Sequence, residues 1–146
     1  GWRAGYIVAS ERIVYAVSKF LENAVTCFPP FIQKASEFAL DKGDSIIQSQ
    51  LKDYERKRRL LLDKLESIPR LVPNQIQGAF YAFPELKGSK MPSAEFSKNL
   101  LEKENVAVLP GIAFGEEGEG RIRISFSGSA EELEDGLDGI SRFLSK

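Results

Sequence analysis

Val106-Ala107-Val108-Leu109-Pro110-Gly111, then Phe114-Gly115, then Gly120-Arg121-Ile122-Arg123-Ile124-Ser125-Phe126-Ser127, is the stretch on which the reading of this chain turns. Its β-branched and aromatic residues predict a short strand over Val106 to Leu109 and a second over Arg121 to Ser127. In the second, strict alternation puts Ile122, Ile124 and Phe126 on one face and Arg121, Arg123 and Ser125 on the other. Such a strand suits an antiparallel sheet with one face on a core and the other open. Both arginines then point the same way. They are either a solvated pair or a charged site above the sheet. Between the strands, Gly115, Gly118 and Gly120 invite comparison with a phosphate cradle. They precede a strand rather than a helix N-terminus and carry glutamates among them, so the expectation is a flexible loop.

Around this stretch the chain reads as a small α+β unit. Gly78 to Phe83 predicts a strand, and Ser93, after Pro92, is placed to cap a helix running to about Glu104. Ser129-Ala130-Glu131-Glu132 has the pattern of a capping box, and Leu133, Leu137, Ile140 and Leu144 form the apolar stripe of a last helix. A long helix is expected from Asp44 to about Ile68, with Ile47, Leu51, Tyr54, Leu61, Leu65 and Ile68 on or near one stripe and Lys57 among the polar remainder. Asp53, Glu55, Asp63 and Glu66 dilute its basic residues, which fits a solvated amphipathic helix better than a nucleic-acid or membrane surface. Pro69 and Pro73-Asn74 end it.

Toward the start, Tyr6 to Ala9 predicts a strand, and Ser10 can cap a helix in which Ile13, Val14, Val17, Phe20 and Leu21 recur at helical spacing. Thr26-Cys27-Phe28-Pro29-Pro30 breaks it. A second helix, Phe31 to Leu40, is expected to end at Lys42-Gly43, where glycine suits a left-handed cap.

Composition narrows the chemistry. The 146 residues carry 20 Lys and Arg against 21 Asp and Glu, a formal charge of -1, so no polybasic surface points to nucleic acid or an anionic membrane. No apolar run approaches the length of a membrane-spanning helix. The single Cys27 excludes an intrachain disulfide and fits a reducing, cytoplasmic compartment. Histidine is absent, which removes histidine bases, Ser-His triads and most zinc sites.

The quoted stretch resembles the C-terminal signature of class I/II, fold-type I aminotransferases that use pyridoxal phosphate. Gly78-Ala79-Phe80-Tyr81-Ala82-Phe83-Pro84 is similar to a strand of that family. The opening Gly1-Trp2-Arg3-Ala4-Gly5-Tyr6 resembles the block that follows its Schiff-base lysine, although those residues alone also suit an ordinary turn into a strand. The three blocks occur in the family's order and at about its spacing.

The resemblance implies a fold that is α/β to α+β: residues 1–43 from the tail of the large cofactor-binding domain, a long interdomain helix over 44–68, and the small α+β C-terminal domain over 69–146. It implies that Arg3 binds the phosphate of pyridoxal 5'-phosphate and that Arg123 binds the α-carboxylate of the substrate. Tyr81 and Phe114 either line the site or pack in the core. The Schiff-base lysine would fall before position 1, leaving no catalytic residue in this chain and the chain alone inactive. The intact enzyme would be a homodimer, with the Thr26–Pro30 loop near the subunit interface, and would transfer an amino group between an amino acid and a 2-oxo acid.

Aspartate or a broad set of donors is the expected specificity, although no arginine lies between Arg12 and Arg56 to supply a second cation near that loop. The same scaffold also hosts lyases and synthases, and an aminotransferase-like effector domain occurs in some transcription regulators.

Overall fold

The computed structural model describes residues 1–25 and 27–145, which divide into two compact units, 1–49 and 50–146. Thr26, in the proline-containing break, lies outside the described residues.

The first unit is helical. Residues 1–10 carry no regular structure, and helices α1 (Glu11–Ala24) and α2 (Pro30–Lys42) follow. The strand expected over Tyr6 to Ala9 is not formed. A strand needs a neighbour to take its backbone hydrogen bonds, and every ladder among the described residues lies in the second unit. Ser10 is the N-cap of α1, but its side chain makes no capping bond. Pro30, inside α2, occupies a first-turn position where its missing N–H costs nothing. Gly43 departs from expectation in another way: its φ of -74° is right-handed, not left-handed. A Cβ there would collide with the Ala39 carbonyl, so glycine serves close backbone approach. Neither helix buries a residue, and Ile13, Phe20 and Phe38 are each more than half exposed. Trp2 anchors the start of the chain by meeting Phe31 edge-on at 5.8 Å.

Helix α3, Asp44–Glu66, enters the second unit at Gln50. Its expected stripe is buried only toward the C-terminus, where Leu61 and Leu65 are inaccessible and Ile47 and Leu51 are about half exposed. Lys57 belongs to the buried face, contrary to the pattern. Its stem is covered while its ammonium holds Asp53 at 2.7 Å and lies 5.0 Å from the Tyr54 ring centroid. Strands β1 (Leu71–Val72) and β3 (Glu85–Leu86) form a two-stranded antiparallel sheet that hydropathy did not announce. Strands β2 (Tyr81–Ala82), β5 (Ile122–Ser125) and β4 (Leu109–Pro110) form an antiparallel sheet in the order β2-β5-β4. Each is shorter than its sequence pattern; Ala79, with φ of 59°, bends the chain just ahead of β2.

The alternation in β5 is realised: Ile122, Ile124 and Phe126 join one buried cluster with Leu61 and Leu65, Phe96 and Leu100 of α4 (Ser93–Glu104), and the stripe of α5 (Ala130–Leu144). Helix α5 opens with the full capping box, Ser129 Oγ accepting from Glu132 N–H and Glu132 accepting from Ser129 N–H. The described residues are therefore mostly helical with small antiparallel sheets, and no helix is long and apolar enough to cross a membrane.

The glycine-rich connection from β4 to β5 is not a loose loop. It consists of two 3-10 turns, Gly111–Phe114 and Glu116–Gly118. A Cβ on Gly111 would strike the Gly118 carbonyl and stand 2.7 Å from the Arg121 oxygen, so the turns cross with backbone against backbone. Glu119 ties them to α4. Its carboxylate accepts from Ser93 N–H at 2.6 Å, from Ser93 Oγ at 3.0 Å and from Gly120 N–H at 3.1 Å. Ser93 Oγ in turn accepts from Ile112 N–H at 3.2 Å. Ser93 is thus not the expected cap of α4. Pro92 stands at the N-cap without a side-chain bond, and Glu119 serves the helix N-terminus from across the fold.

Two consequences are measurable. Leu100→Ala empties a fully buried position and lowers unfolding free energy by about 2–5 kcal/mol, read from the urea midpoint. The bonds from Ser93 and Gly120 hold the Glu119 carboxyl below its ordinary 4.5. A depressed carboxylate pKa adds stability above the unfolded-state value, and that stability is lost as pH falls through the folded value. Glu119→Gln is therefore less stable than the parent at pH 7 and loses less stability on acidification below pH 4.5, as urea titrations at several pH values will show.

Candidate active site

The open face of the three-stranded sheet carries the charge. Leu109 of β4 is paired with Arg123, and Tyr81 of β2 is paired with Ser125. Tyr81 is therefore diagonal to Arg123 on the same face, within reach for long side chains. The Arg123 guanidinium carbon lies 4.3 Å from the Tyr81 ring centroid and 5.1 Å from that of Phe114, which the first 3-10 turn brings over the sheet. Phe114 is braced edge-on by Phe83 at 5.6 Å, and Tyr81 lies 4.5 Å from Phe80. Tyr81 and Phe114 are both substantially exposed, so they flank the arginine instead of filling the core.

Arg121, just ahead of β5, and Arg123, within it, differ sharply. Arg121 lies 3.6 Å from the Glu85 carboxylate across a β-bridge and donates weakly to the Phe83 carbonyl at 3.5 Å. Arg123 has no carboxylate partner and no hydrogen-bond acceptor among the described residues. A half-buried cation between aromatic faces gains about 0.5–2 kcal/mol from them, yet rings leave its five N–H donors unmatched. The arrangement suits a planar anion that accepts two parallel bonds, such as a carboxylate.

Arg3 lies in the first unit. It too lacks an ion pair or hydrogen bond among the described residues, and its φ of 56° places a non-glycine residue in the left-handed region. That conformation costs about 1–3 kcal/mol. Gly1 and Gly5 stand beside it with open space where a side chain would project. A shallow cleft separates residues 1–4 from the face of α2 bearing Ala35, Ser36 and Ala39. Exposed donors in such a setting fit the phosphate of a bulky cofactor.

Elsewhere in the second unit, a concavity of about 620 Å³ opens between residues 104–108 and α5, but neither Arg121 nor Arg123 lines it. Its Glu104 is neutralised by Arg142 at 3.0 Å. No cluster of three or more His, Cys, Asp or Glu suited to a metal ion occurs among the described residues.

Of the two roles sequence left open for Tyr81 and Phe114, the structure realises the site-lining one; the Glu119 tie is what sequence reasoning missed. Both depend on strand register and loop path, to which local periodicity is blind.

The family model for aminotransferase class I and II matches residues 1–140. The aspartate aminotransferase of Pyrococcus horikoshii is 35% identical over 146 residues, covering 99% of this chain and 37% of that protein. Aromatic-amino-acid aminotransferase 2 of Thermococcus litoralis is 36% identical over 148 residues, covering 99% of this chain and 37% of its own length. The solved structure of the aromatic aminotransferase from Pyrococcus horikoshii OT3 aligns with a TM-score of 0.90 at 35% identity, over 99% of this chain and 39% of that one. The chain spans a little over a third of the length of the relatives it matches. With a family match over nearly every residue, this chain belongs to the class I and II aminotransferases.

Proposed function

We propose that this chain supplies the substrate-carboxylate arginine and a cofactor-phosphate arginine to a pyridoxal-phosphate-dependent transaminase, which moves an amino group from an amino acid to a 2-oxo acid. The observation that carries the reading is the contrast between Arg121, just ahead of β5, and Arg123 within it. Arg121 is answered by Glu85, whereas Arg123 is held by Tyr81 and Phe114 with its donors unanswered. An amino acid of any side chain presents an α-carboxylate, and a fixed fork holds it with orientation as well as charge. Arg123 would in this way keep the bond to be broken at Cα in one direction. Tyr81 and Phe114 restrict the guanidinium and shield one side of the ion pair from water, which strengthens it.

Pyridoxal phosphate, when bound, supplies the electron sink that makes loss of the Cα proton feasible. Arg3 would hold its phosphate, for which an unpaired guanidinium flanked by two glycines is chemically suited. No residue of this chain is assigned to proton transfer; that task belongs to a lysine outside these residues. In this reading, 1–43 is part of the cofactor-binding domain, 44–68 the interdomain helix and 69–146 the small domain. The enzyme is a cytoplasmic homodimer, and its donors are aspartate or a broader set, in keeping with the aspartate and aromatic-amino-acid names of its relatives.

The test is amino-acid-dependent formation of 2-oxo acid by the complete enzyme that contains this sequence. Arg123→Ala lowers kcat/KM at least about tenfold, the scale of losing hydrogen bonds to a charged group, and Arg123→Lys restores charge but not the fork. Arg121→Ala has a much smaller effect. Equal losses at both positions would overturn the assignment, and turnover by the 146-residue chain alone would overturn the placement of the lysine outside it.

A further inference from the structure

We infer that Glu119 is a positioning residue for Arg123, acting through the 3-10 turn that carries Phe114. The inference rests on the reading of Arg123 as the carboxylate grip.

Phe114 reaches Arg123 only because the first 3-10 turn lies over the sheet, and the turn has few means of staying there. Gly111 N–H donates to the Arg121 carbonyl at 2.8 Å, which fixes one end to β5. The next residue, Ile112, donates its N–H to Ser93 Oγ, and that hydroxyl is buried at the start of α4. A serine hydroxyl has one proton to give. Glu119 accepts it, so the oxygen keeps its lone pairs for Ile112. The carboxylate also takes the Ser93 and Gly120 N–H groups, using both of its oxygens. One side chain thus binds the helix N-terminus, the exit of the second 3-10 turn and, through Ser93, the entrance of the first. Phe114 sits two residues beyond that last bond.

The geometry predicts a definite division of labour. The apolar contact of Phe114 with Phe83 orients the ring. The Glu119–Ser93–Ile112 chain of bonds sets the height of the turn above β5, and with it the ring's distance from the guanidinium. Loss of the carboxylate removes the acceptor for the Ser93 proton. The hydroxyl then turns to another partner and the Ile112 bond weakens. Phe114 moves off Arg123, whose rotamer is no longer restricted on that side.

The experiment follows the Arg123 Nε–H signal by NMR in the 146-residue chain, assigned by its disappearance in Arg123→Lys. Acetate serves as the carboxylate probe. In the parent the signal is displaced by the two ring currents and moves saturably with acetate. Glu119→Ala and, as a milder change, Ser93→Ala shift it toward the position of an unrestricted arginine and weaken acetate binding by roughly 2- to 30-fold, the range for mutations that couple through packed neighbours. Glu119→Gln, which keeps one carbonyl acceptor, recovers part of the loss. In a Phe114→Leu background, Glu119→Ala has no further effect on the signal, as a double-mutant cycle requires if the ring is the intermediary.

If Glu119→Ala and Ser93→Ala lower only the melting temperature and leave the Arg123 signal in place, Glu119 is a helix cap and the proposal falls. If the parent signal ignores acetate but responds to Glu119→Ala, the positioning stands and the carboxylate-grip reading is the one overturned.

Discussion

The two-faced strand β5 is the constraint on which the second unit depends. Its residues alternate between a dry side and a charged side, and neither can be changed without the other. Ile122 and Ile124, continued by Phe126, join the buried cluster with α3, α4 and α5. The same backbone, one residue out of phase, lifts Arg123 to the open face. A slip of one position would drive the guanidinium into the core and bring isoleucines to the surface, at a cost of several buried side chains of about 1.5–3 kcal/mol each. The core thus does more than stabilise: it sets the direction and register of the candidate ligand.

That coupling explains which parts of the fold were legible in sequence. The α5 stripe, its capping box and the β5 alternation are local patterns with short periods, and each has the predicted form. The tetrapeptide Ser129 to Glu132 contains both partners of its own hydrogen bonds, so nothing distant was needed to read it. By contrast, β1 and β3 are two residues long and pair across 12 positions of intervening chain, too little pattern for periodicity to find. Lys57 was assigned to the polar face because of its charge. Its buried stem follows from Asp53 and Tyr54, one turn back on the same helix, which together give the ammonium a partner. Tyr6 to Ala9 has strand-like composition without a ladder, a reminder that β propensity measures fitness for a sheet that must exist.

The candidate site divides along the same line. Arg3 and Arg123 were visible because family blocks surround them. Their distinguishing property, the lack of an internal counter-charge, was not, since the sequence gives no sign that Glu85 would answer Arg121 and leave its neighbour alone. Glu119 was hidden still more completely. It stands among glutamates and glycines whose pattern predicts only a flexible loop, and its role depends on Ser93, 26 residues earlier. Ser93, for its part, looked like an ordinary helix cap, and the cap turned out to come from the opposite direction.

The choice of aromatic neighbours for Arg123 has its own physical logic. A carboxylate beside the guanidinium would stabilise the free protein, but any incoming anion would have to displace it and would gain only the difference between two similar ion pairs. Rings hold the cation in place by weaker, sideless attraction and surrender nothing when a carboxylate arrives. They also exclude water from the flanks, which raises the value of the bond that then forms. The free state bears the corresponding cost, a half-buried charge without a partner. It can bear that cost because the fully buried side of the same sheet is large enough to hold β5 in place.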